Sequence, residues 1–143
     1  MIPEPYASDE TLLLALCIWR EARGEDMAAK LGVAWTVRNR CALAPREGWH
    51  QSIRANVLKP FAFSSFNAGD PNAAKYPRPD DTSWWDSVAA AESVEADPTM
   101  GGVFYYSAPI TEVPRQWGAV VHSATIGGLQ FYRLAPPPMS KLA

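Results

Sequence analysis

The chain has 143 residues, of which 48% are hydrophobic, and a formal net charge of −2. This length is enough for one domain with a sizeable core. The absence of a basic excess argues against binding to nucleic acid or to an anionic membrane surface. The longest apolar run, LLLALCIW, is too short to span a bilayer. We therefore expect a single domain over residues 1–143, with a proline-rich tail at residues 134–143.

The N-terminal stretch MIPEPYASDE has no basic residue and no apolar segment of the kind that a secretory signal carries. We therefore expect the protein to be made in the cytoplasm without a signal peptide. The two cysteines, Cys17 and Cys41, each lie in a helical pattern, which favours two buried thiols over a disulfide. Their spacing fits no zinc motif.

The first elements in the chain are two predicted helices. The first is expected over residues 8–23, because Ser8 can cap its start and Gly24 can end it. The second begins after Asp26, a suitable cap, and continues at helical spacing to about Cys41.

A glutamate interrupts the apolar stripe of the first helix. The stripe has spacing i, i+3, i+4 and i+7 and consists of Leu14, Cys17, Ile18 and Glu21. Because burial penalises an ionised carboxylate, the pKa of Glu21 should rise, and a raised pKa is what a general acid for glycosidic bond cleavage needs. Two alternatives are a buried ion pair with Arg38 or Arg40 and a helix end near solvent.

Residues 42–82 contain five prolines and one periodic piece, WHQSIRANVL, which predicts a short helix. A segment of this kind usually shapes a binding surface. Another helix is expected from Ser83 to about Ala96, with Ser83 and Asp86 as a loose capping box. The sequence DPTMGG closes it, because Pro98 and the paired glycines prevent continuation.

Two strands are predicted near the C-terminus, at VFYYSA and GGLQFYRL, while EVPRQWGAVV between them is assigned no element. If VFYYSA is a strand, Tyr105 and Tyr106 point to opposite faces, and we prefer Tyr106 for the site. Trp117 lies in a polar context that favours a cleft. The patterns around Trp49, Trp84 and Trp85 suit a core and a cleft equally.

The two histidines, His50 and His122, are far apart in sequence and neither has a partner at metal-ligand spacing. Exposed or structural roles are favoured for both. We expect no metal and no cofactor.

The chain contains four further motifs in a fixed order. The first is REARGEDMAAKLGVAWTVRNR, which contains Glu21 and Glu25 and ends with Val37, Asn39 and Arg40. The others are PFAFSSF, ADPTMGGVFYYSA and IGGLQFY. Together these motifs resemble those of the SleB/CwlJ-type cell-wall hydrolases. The resemblance covers about residues 11–133. The sequence departs from the family pattern at Ala62, where glutamine is frequent, and at Leu129, where histidine is frequent, so the roles of those two family side chains do not carry over.

This resemblance implies a mainly helical, lysozyme-like α+β domain with a small antiparallel β element. It further implies that peptidoglycan glycan strands are cleaved between N-acetylmuramic acid (MurNAc) and N-acetylglucosamine (GlcNAc), with Glu21 as the catalytic acid. Family members act as lytic transglycosylases, which form a 1,6-anhydro ring. The candidate substrate-binding residues are Phe63, Ser64, Tyr106, Trp117, Tyr132 and Glu25. Ser64 is a candidate to hydrogen-bond Glu21 or a sugar hydroxyl.

Two other functions fit the same residues. In a hydrolytic muramidase, a water activated by Glu25 or Asp97 would replace the sugar hydroxyl. A sugar-binding or phage structural module would keep the fold with little turnover. The small size and the lack of a signal favour a monomeric phage or prophage lysis enzyme that reaches the wall through a holin or in a virion.

Overall fold

The computed structural model describes residues 9–107 and 112–136, which form four α-helices, three β-strands and several short 3₁₀ turns. The helices are α1 (Asp9–Ala22), α2 (Met27–Leu43), α3 (Ile53–Val57) and α4 (Thr82–Glu92), and the strands are β1 (Phe104–Ser107), β2 (Val120–Ile126) and β3 (Leu129–Leu134). The mainly helical α+β class expected from the sequence is confirmed. No helix in these residues combines the length and apolar character needed to cross a membrane.

The core forms where α1 packs against the other three helices. Its buried residues include Leu14, Ile18, Val33, Val37 and Val88. The second helix begins as predicted, since the side chain of Asp26 caps it by accepting a hydrogen bond from the Ala29 amide at 3.1 Å. The expected cap of the first helix, Ser8, lies outside the described residues, as does the tail from residue 137 onward.

Both cysteines are free thiols, as predicted. Cys17 is fully buried on α1, whereas Cys41, near the end of α2, is only partly buried. The Cys41 sulfur accepts a hydrogen bond from the Asn56 side chain at 3.2 Å and so links α2 to α3.

The prediction for α4 was wrong at both ends. Its cap is Asp81, which accepts a hydrogen bond from the Ser83 amide at 2.9 Å, so Ser83 and Asp86 form no capping box. The Ser83 hydroxyl instead donates to the Arg23 carbonyl at 2.7 Å. The helix ends at Glu92 and not at Ala96, because Ser93 adopts an extended backbone conformation.

The long segment between α2 and α4 contains α3 at the predicted place and otherwise consists of turns. Arg20, on α1, holds it by donating hydrogen bonds to three carbonyl groups at 3.1–3.2 Å, those of Ser65, Ala73 and Lys75. The segment is therefore fixed against the helix that carries Glu21.

The strands form one antiparallel sheet in the order β1-β3-β2. In the register, Tyr105 pairs with Phe131 and Phe104 pairs with Tyr132. Residues alternate between the two faces, so Tyr105 and Phe131 face the helices while Tyr106 and Tyr132 face outward. β2 was missed from the sequence, because a β-bulge between His122 and Ala124 breaks its alternation.

The sheet approaches α2 closely at Gly32. A Cβ atom added there would lie 2.5 Å from Cζ of Phe131, which is fully buried. Only a residue without a side chain fits this contact. The contact therefore sets the distance between α2 and the sheet, and with it the position of Tyr105 relative to the helices.

Gly32→Ala should destabilise the protein by about 1–3 kcal/mol, because overpacking a filled core outweighs the better helix propensity of alanine. Urea denaturation measures the free energy of unfolding. Gly24→Ala is the matched control, since nothing lies within 4 Å of the added Cβ at that position. Equal stability of the Gly32→Ala variant and the wild type would contradict the close approach.

Candidate active site

The carboxyl group of Glu21 opens onto a cavity of about 250 Å³. Glu21 lies on the last turn of α1 and is only partly exposed, while Cys17 and Ile18, one turn earlier, are fully buried. We call this cavity the Glu21 pocket. Its lining consists of Glu21, Arg40, Phe61, Ala62, Phe63, Ser64, Phe104, Tyr105 and Trp117.

Tyr105 is the direct partner of Glu21. Its hydroxyl group donates a short hydrogen bond to Oε1 of the carboxylate. The ring faces inward from β1 and packs against Phe131 at a centroid distance of 5.6 Å. The sheet therefore holds the orientation of the carboxyl group on α1.

Ser65 is the second polar neighbour of Glu21. It is buried, and its hydroxyl forms no hydrogen bond with any described residue, yet it lies close enough to lower the pKa of Glu21. Arg20 holds it in place by donating from Nη1 to the Ser65 carbonyl at 3.2 Å. Ser64, which we expected near Glu21, is exposed and lines the pocket. The 3₁₀ turn at Ser64–Phe66 points the second serine inward.

Burial raises the pKa of Glu21 above its ordinary value. The hydrogen bond from Tyr105, the nearby hydroxyl group of Ser65 and the charge of Arg40 oppose this effect without cancelling it, and the charge of Asp70 adds to it. The raised pKa expected from the apolar stripe is thus present in the structure. A larger fraction of this carboxyl group is protonated near neutral pH than of an exposed glutamate.

Glu21 forms no ion pair with any residue that the structure describes. Among the described residues, the one carboxylate–cation pair within 4 Å is Arg78–Asp80, at the surface. Arg38 instead donates to the Ala91 carbonyl at 2.8 Å, and Arg40 donates from Nε to the Val103 carbonyl at 2.7 Å. The ion-pair alternative for Glu21 is therefore not what the structure shows.

Several predicted substrate-binding residues lie at or beside this pocket. Phe63, Ser64 and Trp117 line it. Tyr106 and Tyr132 lie next to it on the outer face of the sheet, with centroids 6.1 and 5.7 Å from that of Trp117. We call Phe104, Tyr106, Trp117 and Tyr132 the outer aromatic band. It continues from the pocket over the sheet.

Two predicted carboxylates lie outside the lining of the pocket. Glu25 accepts a hydrogen bond from the Gly128 amide at 2.8 Å and so holds the turn between β2 and β3. Asp97 holds a turn before β1: burial raises its pKa, but hydrogen bonds from Thr99, Asn39 and Gly101 outweigh this and keep the pKa below its ordinary value.

The remaining tryptophans and histidines considered for the site differ in how far they are buried. Trp49 is buried, Trp84 packs against the core and Trp85 is exposed. Both histidines are exposed, and His122 contacts Thr125 and Gln130 at 3.0 Å. Within residues 9–107 and 112–136, no group of three or more His, Cys, Asp or Glu side chains is placed to hold a metal ion.

The two departures from the family pattern occupy different environments. Ala62 lines the Glu21 pocket, so the space that a glutamine would fill there is open. Leu129 is buried in the core at the start of β3. Only the first departure alters the wall of the pocket.

Comparison with known protein families shows which family the chain belongs to. A family model described as cell wall hydrolase matches residues 24–132. The chain belongs to the cell wall hydrolase family. It is therefore an enzyme that cleaves the peptidoglycan of the cell wall. The matched span begins three residues after Glu21, so the match itself does not bear on that residue.

Two solved structures share the fold of this cell wall hydrolase. The catalytic domain of the Bacillus cereus SleB protein is 22% identical, with a TM-score of 0.64, over 91% of this chain and 94% of that one. The catalytic domain of the germination-specific lytic transglycosylase SleB from Bacillus anthracis is 21% identical, with a TM-score of 0.63, over 91% and 98% of the two chains. No curated protein sequence matches the chain.

The sequence interpretation missed three residues of the site, namely Tyr105, Ser65 and Arg40. Strand alternation indicated that one of two adjacent tyrosines faces inward, and we chose the other for the site. Two adjacent serines posed the same choice. Arg40 was considered as an ion-pair partner of Glu21 and as the end of the first motif, but not as part of the pocket, although it lies on the buried side of α2.

Tyr105→Phe should raise the pKa of Glu21 further, because it removes a hydrogen bond that favours the ionised form. The half-ionisation point of the carboxyl group then moves to higher pH. Titration of the Glu21 side-chain carbon by carbon-13 NMR measures it. Tyr106→Phe is the matched control, since that hydroxyl lies 3.2 Å from the Tyr132 hydroxyl. A lower or unchanged pKa in the folded Tyr105→Phe protein would contradict the assignment.

Proposed function

We propose that this cell wall hydrolase cleaves peptidoglycan glycan strands between MurNAc and GlcNAc, with Glu21 as its single catalytic acid. The observation that carries the proposal is a carboxyl group with a raised pKa and no ion pair, opening onto a pocket with aromatic walls. A general acid must be protonated when substrate binds, and burial favours this state.

The hydrogen bond from Tyr105 also selects which oxygen carries the proton. Because Oε1 accepts from the Tyr105 hydroxyl, a protonated Glu21 holds its own proton on Oε2. After that proton leaves, the same hydrogen bond and the charge of Arg40 stabilise the carboxylate. The site therefore supports an acid that becomes a base within one reaction.

In the proposed reaction, Glu21 protonates the bridging oxygen and the bond from this oxygen to the anomeric carbon of MurNAc breaks. The acetamido group of the same sugar stabilises the cation that forms, so no second carboxylate is needed. The O6 hydroxyl then attacks the anomeric carbon and returns its proton to Glu21. The product is a 1,6-anhydro ring, and no water is consumed.

The composition of the pocket favours this route over hydrolysis by a muramidase. Among the nine residues that line the Glu21 pocket, Glu21 is the one carboxylic acid. The two groups considered for activating a water, Glu25 and Asp97, hold turns by hydrogen bonds to backbone amides. The description of the Bacillus anthracis relative as a lytic transglycosylase also supports the first route.

The outer aromatic band suits a glycan strand. The C–H faces of pyranose rings are apolar, and Tyr and Trp rings present apolar surface beside a polar tip. We propose that Trp117, Tyr106 and Tyr132 stack on sugars next to the scissile bond. Phe63 would shape the floor of the pocket, and Ser64, exposed at its edge, would bond a sugar hydroxyl.

Glu21→Gln should lower the rate of lysis of purified peptidoglycan by at least about 100-fold, because glutamine cannot donate the acid proton. A turbidity assay measures lysis, and circular dichroism checks the fold. Glu92→Gln, the same change at an exposed position on α4, serves as the control. A folded Glu21→Gln protein with more than a few per cent of normal activity would contradict the assignment.

The released fragments should be lighter by one water than the products of hydrolysis, because ring closure replaces attack by water. Mass spectrometry of digests from the wild-type protein tests this. A digest that contains only fragments of hydrolytic mass would indicate a muramidase instead.

A further inference from the structure

Arg40 is a buried cation without a polar partner for most of its donors. Only 6% of the residue is exposed, and Nε donates to the Val103 carbonyl at 2.7 Å. Within the described part of the chain, neither terminal nitrogen of the guanidinium group donates to an acceptor, and no carboxylate lies within 4 Å. Buried charged groups are ordinarily paired or fully hydrogen-bonded. The terminal nitrogens of Arg40 instead face the cavities that the residue lines, where they are open to a ligand.

Aromatic rings surround the guanidinium group but offer no acceptor. Its central carbon lies 5.0 Å from the ring centroid of Phe63, 5.3 Å from that of Phe104 and 5.6 Å from that of Trp49. These contacts stabilise the charge and fix the plane of the group. They leave the hydrogen-bonding capacity of the terminal nitrogens unused.

Arg40 also lies where two cavities meet. A second cavity of about 250 Å³ adjoins the Glu21 pocket, and the two share Arg40, Phe61, Ala62, Phe104 and Trp117. We call it the adjoining pocket. Its other side holds Lys59 and Glu47, and Lys59 donates to the Glu47 and Gly48 carbonyls at 3.2 Å. With two cations and one carboxylate, it suits an electron-rich ligand group.

We propose that Arg40 binds the lactyl group of the MurNAc residue in the adjoining pocket while the bond to be cleaved lies at Glu21. This inference rests on the proposed function, and it names Arg40 as the residue that determines which sugar is bound. The lactyl ether is on ring carbon 3, two carbons from the anomeric carbon, and is the one feature that distinguishes MurNAc from GlcNAc. Its carboxylate, or its amide carbonyl when a peptide is attached, matches the planar donor fork of arginine.

Binding of the lactyl group by Arg40 would select one of the two alternating linkages of the glycan strand. A GlcNAc residue in the same position would leave the Arg40 donors unsatisfied, and unsatisfied buried donors are penalised. A MurNAc residue would satisfy them. Glu21 then protonates the linkage from MurNAc to GlcNAc and not the reverse linkage.

The test compares two tetrasaccharides that differ only in lactyl groups: one of alternating GlcNAc and MurNAc with free lactyl carboxylates, and chitotetraose, which has four GlcNAc units. Binding is measured by calorimetry on the Glu21→Gln protein, so that neither ligand is cleaved. We expect the muramoyl ligand to bind at least about tenfold more tightly, as for a charge-assisted hydrogen bond. Absence of this preference would overturn the proposal.

The same preference should disappear when Arg40→Gln is added, and should fall severalfold with Arg40→Lys, which keeps the charge but not the fork. Circular dichroism checks folding, and if Arg40→Gln does not fold, Arg40→Lys carries the test. An unchanged preference in either folded variant would overturn the proposal. A purely structural role would instead weaken both ligands equally, and that result also overturns it.

Arg38→Gln is the matched control. Arg38 lies on the same helix, stacks on Trp35 at 5.2 Å and donates to one carbonyl, but lines neither cavity. Its substitution should leave the preference intact. Failure of this inference is distinguishable from failure of the proposed function: lysis by the Glu21→Gln protein tests the latter, and ligand preference tests the former.

Discussion

The largely buried carboxyl group of Glu21 determines how the other residues of the site are arranged. An ionised carboxylate at this position is penalised by desolvation, and a full ion pair would remove the raised pKa that an acid needs. The structure meets both conditions with a hydrogen bond from Tyr105 and a nearby but unpaired Arg40. These residues come from β1 and α2, so the packing of the sheet on the helices at Gly32 is part of the site.

The buried cations bind backbone carbonyl groups and leave Glu21 without an ion pair among the residues that the structure describes. Arg20, Lys30 and Arg40 are all buried, and in the described part of the chain each donates to backbone carbonyls and not to a carboxylate. Lys30 bonds the carbonyls that follow α1, and Arg20 fixes the turn that carries Ser65. Positive charge therefore organises the backbone around the acid without neutralising it.

Much of the helical fold and the position of Glu21 could be predicted from the sequence, because helix spacing determines which residues share a face. That rule identified Glu21, and it applies equally to Thr36, Val37 and Arg40, which continue the stripe from Val33 on α2. It was harder to predict which of two adjacent residues faces the site. A strand or a tight turn points one of the two inward, and the local sequence pattern alone does not say which. The bulge in β2 hid that strand for the same reason, since it interrupts the alternation.

Two titrations of the wild-type protein in one buffer test whether Glu21 is the catalytic acid. Carbon-13 NMR reports the pKa of the Glu21 carboxyl group, and initial rates of peptidoglycan lysis report the pH at which activity falls on the alkaline side. If Glu21 is the catalytic acid, the two pH values coincide and both lie above the ordinary pKa of glutamate. A Glu21 pKa at or below that value, with activity persisting far above it, would contradict Glu21 as the catalytic acid.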